Sequence, residues 1–213
     1  GGATFKTFGT GSIMVGDDAT GTLTSAANEN TAVGVDVFAA LTSGSRNTTM
    51  GNTSMTAATT GSNNAAVGFN TLTALTTGAH NVAIGPRSQI TNTTGNYNVS
   101  IGKESLKLLT TASNNTALGY VTLQANTTGA DNTAVGASAL QANTTGTNNV
   151  AVGTSAMAAN TTGSYNIAIG NIALDANTSG NYNVAVGRNC LTKNTTGHDN
   201  VGLGINVLAE NTT

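Results

Sequence analysis

The side chains able to do acid–base, nucleophilic or metal chemistry are few and scattered. Nine Asp and Glu, two His and one Cys are spread over 213 residues, and only Asp17-Asp18 places two acids side by side. Structural zinc needs several Cys or His at short spacing. Cys190 stands alone and His80 and His198 are distant, so zinc and an intrachain disulfide are both excluded. Gly16-Asp17-Asp18-Ala19 resembles a cation loop, but repeat-type calcium sites carry an Asp in every copy and this chain does not. A structural turn is the better reading. Catalysis requires a nucleophile, a base and an orienting group within reach of one another, and the spacing provides none. No enzymatic activity, metal or cofactor is expected.

What the chain has in quantity is Thr (40), Asn (29) and Gly (27), with charged residues at 8%, aromatics at 4% and one Pro, Pro86. A formal charge of −2 gives no basic footprint for nucleic acid. No apolar run approaches the roughly 20 residues of a membrane span. Gly1-Gly2-Ala3-Thr4-Phe5-Lys6 has no initiator Met and no signal-peptide core, as in a processed product or fragment. The apolar fraction of 38% is near the globular range, so order depends on how those residues are spaced.

Their spacing is a repeat. Taking as position 0 the glycine that closes Asn-x-small-aliphatic-Gly, the anchors are Gly34, Gly51, Gly68, Gly85, Gly102, Gly119, Gly136, Gly153, Gly170, Gly187 and Gly204, every step 17 residues. Ser12-Ile13-Met14-Val15-Gly16 reads as a degenerate twelfth copy offset by 18. Position −4 is Asn in every copy: Asn30, Asn47, Asn64, Asn81, Asn98, Asn115, Asn132, Asn149, Asn166, Asn183 and Asn200. Position −2 is small, position −1 is aliphatic or Met, and position +4 is Leu or another bulky apolar residue except at Gln89. Position +10 is Gly except at Ala112.

Asn-Val-Ala-Val-Gly alternates, so positions −3 and −1 share one strand face while −4, −2 and 0 share the other. With β-branched enrichment and no 3.6-residue stripe, each unit carries a strand rather than a helix. A short fixed period predicts an all-β chain, a parallel β-solenoid of about twelve 17-residue coils in which equivalent residues stack about 4.8 Å apart. In this reading residues 1–29 form an N-terminal cap or junction with the degenerate coil, and 30–213 form the solenoid. Stacked aliphatics at −1 and +4 make the core, stacked Asn make an amide ladder, and Gly occupies corners needing positive φ or close approach. The Ala and Gly face is then free to pack against other copies, which predicts a parallel homotrimer with itself as partner.

Position +12 varies within this fixed frame: Arg46, Asn63, His80, Tyr97, Asn114, Asp131, Asn148, Tyr165, Tyr182 and Asp199. Variation there marks an exposed edge. Tyr97, Tyr165 and Tyr182 could hold a glycan by ring stacking, against the plainer reading of solvated turns without a ligand. His80 and His198 lie seven coils apart near this edge, roughly 34 Å, too far for joint chemistry. The sequons at Asn126, Asn143 and Asn160 follow from the repeat and do not imply glycosylation. Thr-Thr pairs such as Thr127-Thr128 and Thr144-Thr145 raise ice binding, but adjacent side chains on extended backbone diverge.

The segment Asn-Thr-Ala-Val-Gly-Ala-Ser-Ala-Leu-Gln-Ala-Asn-Thr-Thr-Gly at 132–146, echoed at 149–163 and 166–180, resembles the Asn-Thr-Thr-Gly repeats of phage tail-fibre and related surface-fibre proteins. Its aliphatic-Ala-aliphatic-Gly core is similar to the head repeat of YadA-like trimeric autotransporter adhesins, whose coils form a trimeric β-roll. The resemblance spans residues 30–213. The adhesin repeat is shorter and places its Asn one position earlier, so handedness and interface do not carry over.

The expected function is therefore structural: the stalk of a viral tail fibre or surface appendage, extracellular, at a virion or cell surface, supporting attachment to a host surface glycan. A bacterial trimeric adhesin or self-assembling extracellular filament is the alternative, and an ice-binding solenoid the third. Neither nucleic-acid binding nor membrane insertion is expected.

Overall fold

The structure, a computed structural model, describes residues 5–16 and 26–212, and the candidate loop Asp17-Asp18 lies outside them. It is all-β. Strand β1 (Phe5–Phe8) pairs antiparallel with β2 (Ser12–Val15). Eleven three-residue strands follow, β3 (Thr31–Val33) through β10 (Val150–Val152) to β13 (Val201–Leu203), one per 17-residue unit. Each pairs in parallel with the next, so β2 to β13 run through one sheet in sequence order. The register is strict: Val150, Ala151 and Val152 sit over Thr133, Ala134 and Val135 and under Ile167, Ala168 and Ile169. The predicted parallel solenoid is therefore the fold, with about eleven full coils.

Pairing between coils continues around the corners, where Ser155 N–H donates to Ala137 O, Leu140 N–H to Ala156 O and Thr144 N–H to Thr161 O. Few backbone donors are left to water, which is how so thin a fold satisfies its polar groups. Three non-glycine residues per coil, at +2, +4 and +12, hold positive φ near 50–60°. The left-handed turn at +4 is decisive, because it turns the consecutive residues +3 and +4 both inward. Ala156 and Met157 are both buried, as are Ala173 and Leu174. Burying a Leu or Met gains roughly 1.5–3 kcal/mol, enough to offset a strained backbone costing about 1–3 kcal/mol. The two repeated glycines share one need and differ in another. Both are held by proximity, a Cβ at Gly153 lying 2.5 Å from Gly170 O and one at Gly146 2.3 Å from Gly163 O, but only the anchor Gly153 also needs positive φ, +135°.

One expectation is reversed. The Ala column at −2 (Ala66, Ala83, Ala117, Ala134, Ala151, Ala168, Ala185) is fully buried inside each coil, and the aliphatics at −1 face outward. The interior of a coil is narrow: one Leu or Met at +4, a small residue at +3 and the side chain at +7 fill it, leaving room opposite for a small side chain, Ala in most coils and Thr49 or Ser100 in two others. The Ala face is therefore core and cannot be an interface between copies.

The core is also divided. One apolar cluster runs from Met14 to Ala83 and a second from Leu106 to Leu191. Between them lies a polar layer. Buried Gln89 donates to Ser100 Oγ (2.8 Å) and Val82 O (3.2 Å) and accepts from Asn92 Nδ2 (3.0 Å), while Ser88 and Ser100 share a 2.5 Å hydrogen bond. The one exception to the apolar +4 column is thus a satisfied polar plug.

Candidate functional site

Three rows of side chains run along the rod, and their geometry decides which are free to meet a ligand. The position −4 Asn row is structural. Asn149 Nδ2 donates to Asn132 Oδ1 (3.1 Å) and Gly163 O (2.9 Å), and its own Oδ1 accepts from Asn166 N–H (3.0 Å) and Nδ2 (3.2 Å). The same pattern recurs from Asn47 to Asn183. Each amide is saturated, so none is available to a partner.

A second ladder stands at +7 in the C-terminal coils. Asn143 donates to Asn126 Oδ1 (2.8 Å), Asn160 to Asn143 (2.9 Å) and Asn177 to Asn160 (2.8 Å). Sequence reading missed it because Leu41, Leu75 and Leu109 hold the same position in earlier coils. The sequon residues Asn126, Asn143 and Asn160 are these fully buried amides, so a glycosylating enzyme cannot reach them in the folded rod. The Thr row at +8 is likewise occupied: Thr127 Oγ1 donates to Thr144 O and Thr144 Oγ1 to Thr161 O, both at 3.0 Å. Thr128, Thr145 and Thr162 at +9 are exposed, which leaves a single file of outward hydroxyls.

The +12 edge places Tyr97, Tyr165 and Tyr182 in solvent, each more than half exposed. Tyr165 and Tyr182 stack with ring centroids 5.1 Å apart and planes 9° from parallel; His80 and Tyr97 stack at 4.9 Å and 7°. The structure brings together these two pairs, four coils apart, and does not bring His198 into the row. Each ring spends one face on its neighbour. All four residues hold φ of 56–59°, a conformation that Asn and Asp adopt with less strain. Tyr165→Asn/Tyr182→Asn is therefore expected to hold thermal stability within about 1 kcal/mol, the lost stack being offset by an easier turn. A thermal melt showing a loss beyond about 2 kcal/mol would make the pair structural.

Another corner gathers charge. Glu104, at +2, accepts from Arg87 Nη1 (3.3 Å), Lys107 Nζ (3.1 Å) and Gln124 Nε2 (2.8 Å). Lys103 places its ammonium 5.8 Å over the Tyr120 ring. The Lys107 hydrogen bond, helped by the charges of Lys107 and Arg87, holds the Glu104 carboxyl below the usual carboxylate range against a smaller desolvation effect. A lowered folded pKa gives stability that is present above the unfolded value and lost as pH falls through the folded one. Glu104→Gln is thus expected to flatten the acid limb of stability below about pH 4, as read from melting temperature against pH. An unchanged limb would show the pairing to be inconsequential.

Elsewhere the reactive groups stand isolated. Burial pushes the Cys190 thiol up and also raises the Asp175 carboxyl. Among the described residues no three His, Cys, Asp or Glu side chains converge as a metal site, no pocket is enclosed, and no helix is long and apolar enough to cross a membrane.

The widest continuous surface is the outer strand face. Position −1 reads Val33, Met50, Val67, Ile84, Ile101, Leu118, Val135, Val152, Ile169, Val186 and Leu203, and position −3 holds only Thr, Ala, Val and Ile. Neither column contains a charge. Met50 is 53% exposed, and most of its row is near 40%. Eleven coils at about 4.8 Å by a strip about 10 Å wide make a flat apolar face on the order of 500 Å², at the upper end of what monomers carry. No protein-family model, curated protein or solved structure matches the chain.

Proposed function

We propose that the chain is the rod of an extracellular surface fibre, the stalk of a viral tail fibre or comparable appendage, built from parallel copies around a three-fold axis. The observation that carries this reading is the charge-free apolar face formed by positions −3 and −1 over eleven coils. A second copy in parallel register fits it best, because only another rod repeats its 4.8 Å spacing over the same length. The strip alone falls short of the roughly 800 Å² per partner of a standard interface; Val35 and Phe69, both exposed on the N-terminal coils, widen it there. A role in mechanical display accords with the saturated amide ladders and coil-to-coil backbone bonding, which resist bending and proteolysis. Attachment to host surface glycans belongs to the same proposal.

Mass measurement in solution together with electron microscopy tests it. The expected result is one species of three chains whose repeat region forms a rod about 50 Å long. Open-ended polymers would favour the filament, and a monomer at micromolar concentration would overturn the reading.

A further inference from the structure

We propose that the corner formed by Arg87, Lys103, Lys107 and Tyr120 binds an acidic glycan, a pyranose chain carrying carboxylate or sulfate groups; this gives the attachment role proposed above its ligand class and rests on that reading for its setting. The chain has seven Lys and Arg in all, and three of them fall within 21 residues on successive coils. Glu104 organises two of them. Its side chain is 14% exposed, covered by its partners, while Arg87, to which it is paired, is 45% exposed. The carboxylate is consumed by Arg87, Lys107 and Gln124. A guanidinium has five N–H donors and an ammonium three, so both cations keep donors for an incoming anion. They are held in place beforehand, which lowers the entropy cost of binding.

Tyr120 supplies the platform. It belongs to the +1 column, where Phe69, Pro86, Lys103 and Tyr120 follow one another on consecutive coils. Lys103 covers the ring face toward the preceding coil. On the following coil the same column holds Ala137, whose methyl group leaves the other face uncovered. The contrast with Tyr165 and Tyr182 is physical: those rings stack on each other, whereas Tyr120 has a cation on one side and an open step on the other. An aromatic face beside fixed cations suits an acidic sugar chain, the apolar face of one pyranose lying on the open ring face while anionic groups of the neighbouring sugars, one and two coils back, meet Lys103 and Arg87. A polyphosphate chain is disfavoured because the protein carries a net −2 and offers no basic stripe beyond this corner.

Calorimetric titration of the folded chain tests the site with four probes: a heparin-derived hexasaccharide for sulfate, a hexagalacturonate for carboxylate, maltohexaose as the neutral sugar, and hexaglutamate as the acidic non-sugar. At least one acidic sugar is expected to bind about tenfold or more tighter than maltohexaose and hexaglutamate, and the stronger of the two identifies the anion. Raising salt from about 0.05 to about 0.3 M is expected to weaken it. Lys103→Ala and Tyr120→Ala, at exposed positions outside the Glu104 ion pairs, are each expected to lose about fivefold or more, with Tyr165→Asn/Tyr182→Asn unchanged. Native affinity in the Lys103→Ala/Tyr120→Ala double variant, equal binding of maltohexaose or hexaglutamate, or no binding of any probe would overturn the site. Circular dichroism confirms folding of each variant. Solution mass on the same samples reports assembly, so a monomer that binds acidic sugar sinks the fibre and spares the site, while a trimer that binds nothing does the reverse.

Discussion

Ala151→Leu is expected to lose about 3 kcal/mol of stability, whereas Ile101→Asp/Val152→Asp is expected to leave the coil folded and reduce the assembly to single chains. Ala151 is fully buried between Ala134 and Ala168 in strict register. A Leu there adds three carbons to a space already closed by Met157 and Leu140, both fully buried. The strand cannot shift aside without breaking its pairing to both neighbouring coils, so the cost falls at the upper end of the usual overpacking range. Ile101 and Val152 point outward and lie three coils apart. An Asp at either keeps its hydration in the monomer, but in a closed bundle it is buried without a counter-charge. Thermal melts and solution mass read the two effects separately. An Ala151→Leu protein as stable as the parent would mean that the Ala column has free space behind it. An Asp pair that still assembled would remove the apolar face as the contact.

Asn149→Ala is expected to cost on the order of 3 kcal/mol, and to open the rod locally rather than everywhere. The substitution deletes two donated and two accepted hydrogen bonds. It also strands buried groups: one lone pair of Asn132 Oδ1, the backbone N–H of Asn166 and one of its two amide N–H groups, while Gly163 O keeps the bond from Asn160 Nδ2. Each orphaned group costs about 1–3 kcal/mol, partly recovered by relaxation. Since each coil touches only its neighbours, the loss is expected to spread over one or two coils on either side. Hydrogen exchange should show lowered protection between about residues 132 and 183 and native protection near the N-terminal coils. The adjacent Asn148→Gly is the control, because Asn148 is exposed at φ 57° and Gly accepts that conformation freely. Equal melting temperatures for Asn149→Ala and Asn148→Gly would show that the ladder contributes nothing beyond a neutral turn.

Much of the fold could be read in advance because a 17-residue period without insertions leaves one economical architecture. Stacking at constant spacing accounts for a strand per unit, for parallel pairing in register, and for an Asn at −4 in every copy. Even the 18-residue offset of the degenerate copy has its counterpart, with Ile13 paired to Thr31. The functional surface was less legible. Tyr97, Tyr165 and Tyr182 were visible as variation in one column, but their mutual stacking was not, since it depends on ring orientation. Arg87, Lys103, Glu104, Lys107 and Tyr120 sit in columns +1, +2 and +5, whose variation resembles ordinary surface drift until the corner brings those positions together. Lys103 to Tyr120 is one period, and that is the signal by which the pair could have been found.

By itself the sequence determined the period, the strand, the parallel stack and the scarcity of reactive groups, because each follows from local pattern repeated eleven times. Alternation also established that positions −3 and −1 oppose −4, −2 and 0. Which of those faces is inside was decided only by the closed coil. Period-2 patterning is symmetric between the two faces, and hydrophobicity favoured the wrong one. The interior is set by volume: with +3, +4 and +7 turned inward, the remaining width in the regular coils is filled by Ala, Ser or Thr. The larger aliphatics are left on the outside, where the rod becomes able to recognise another rod.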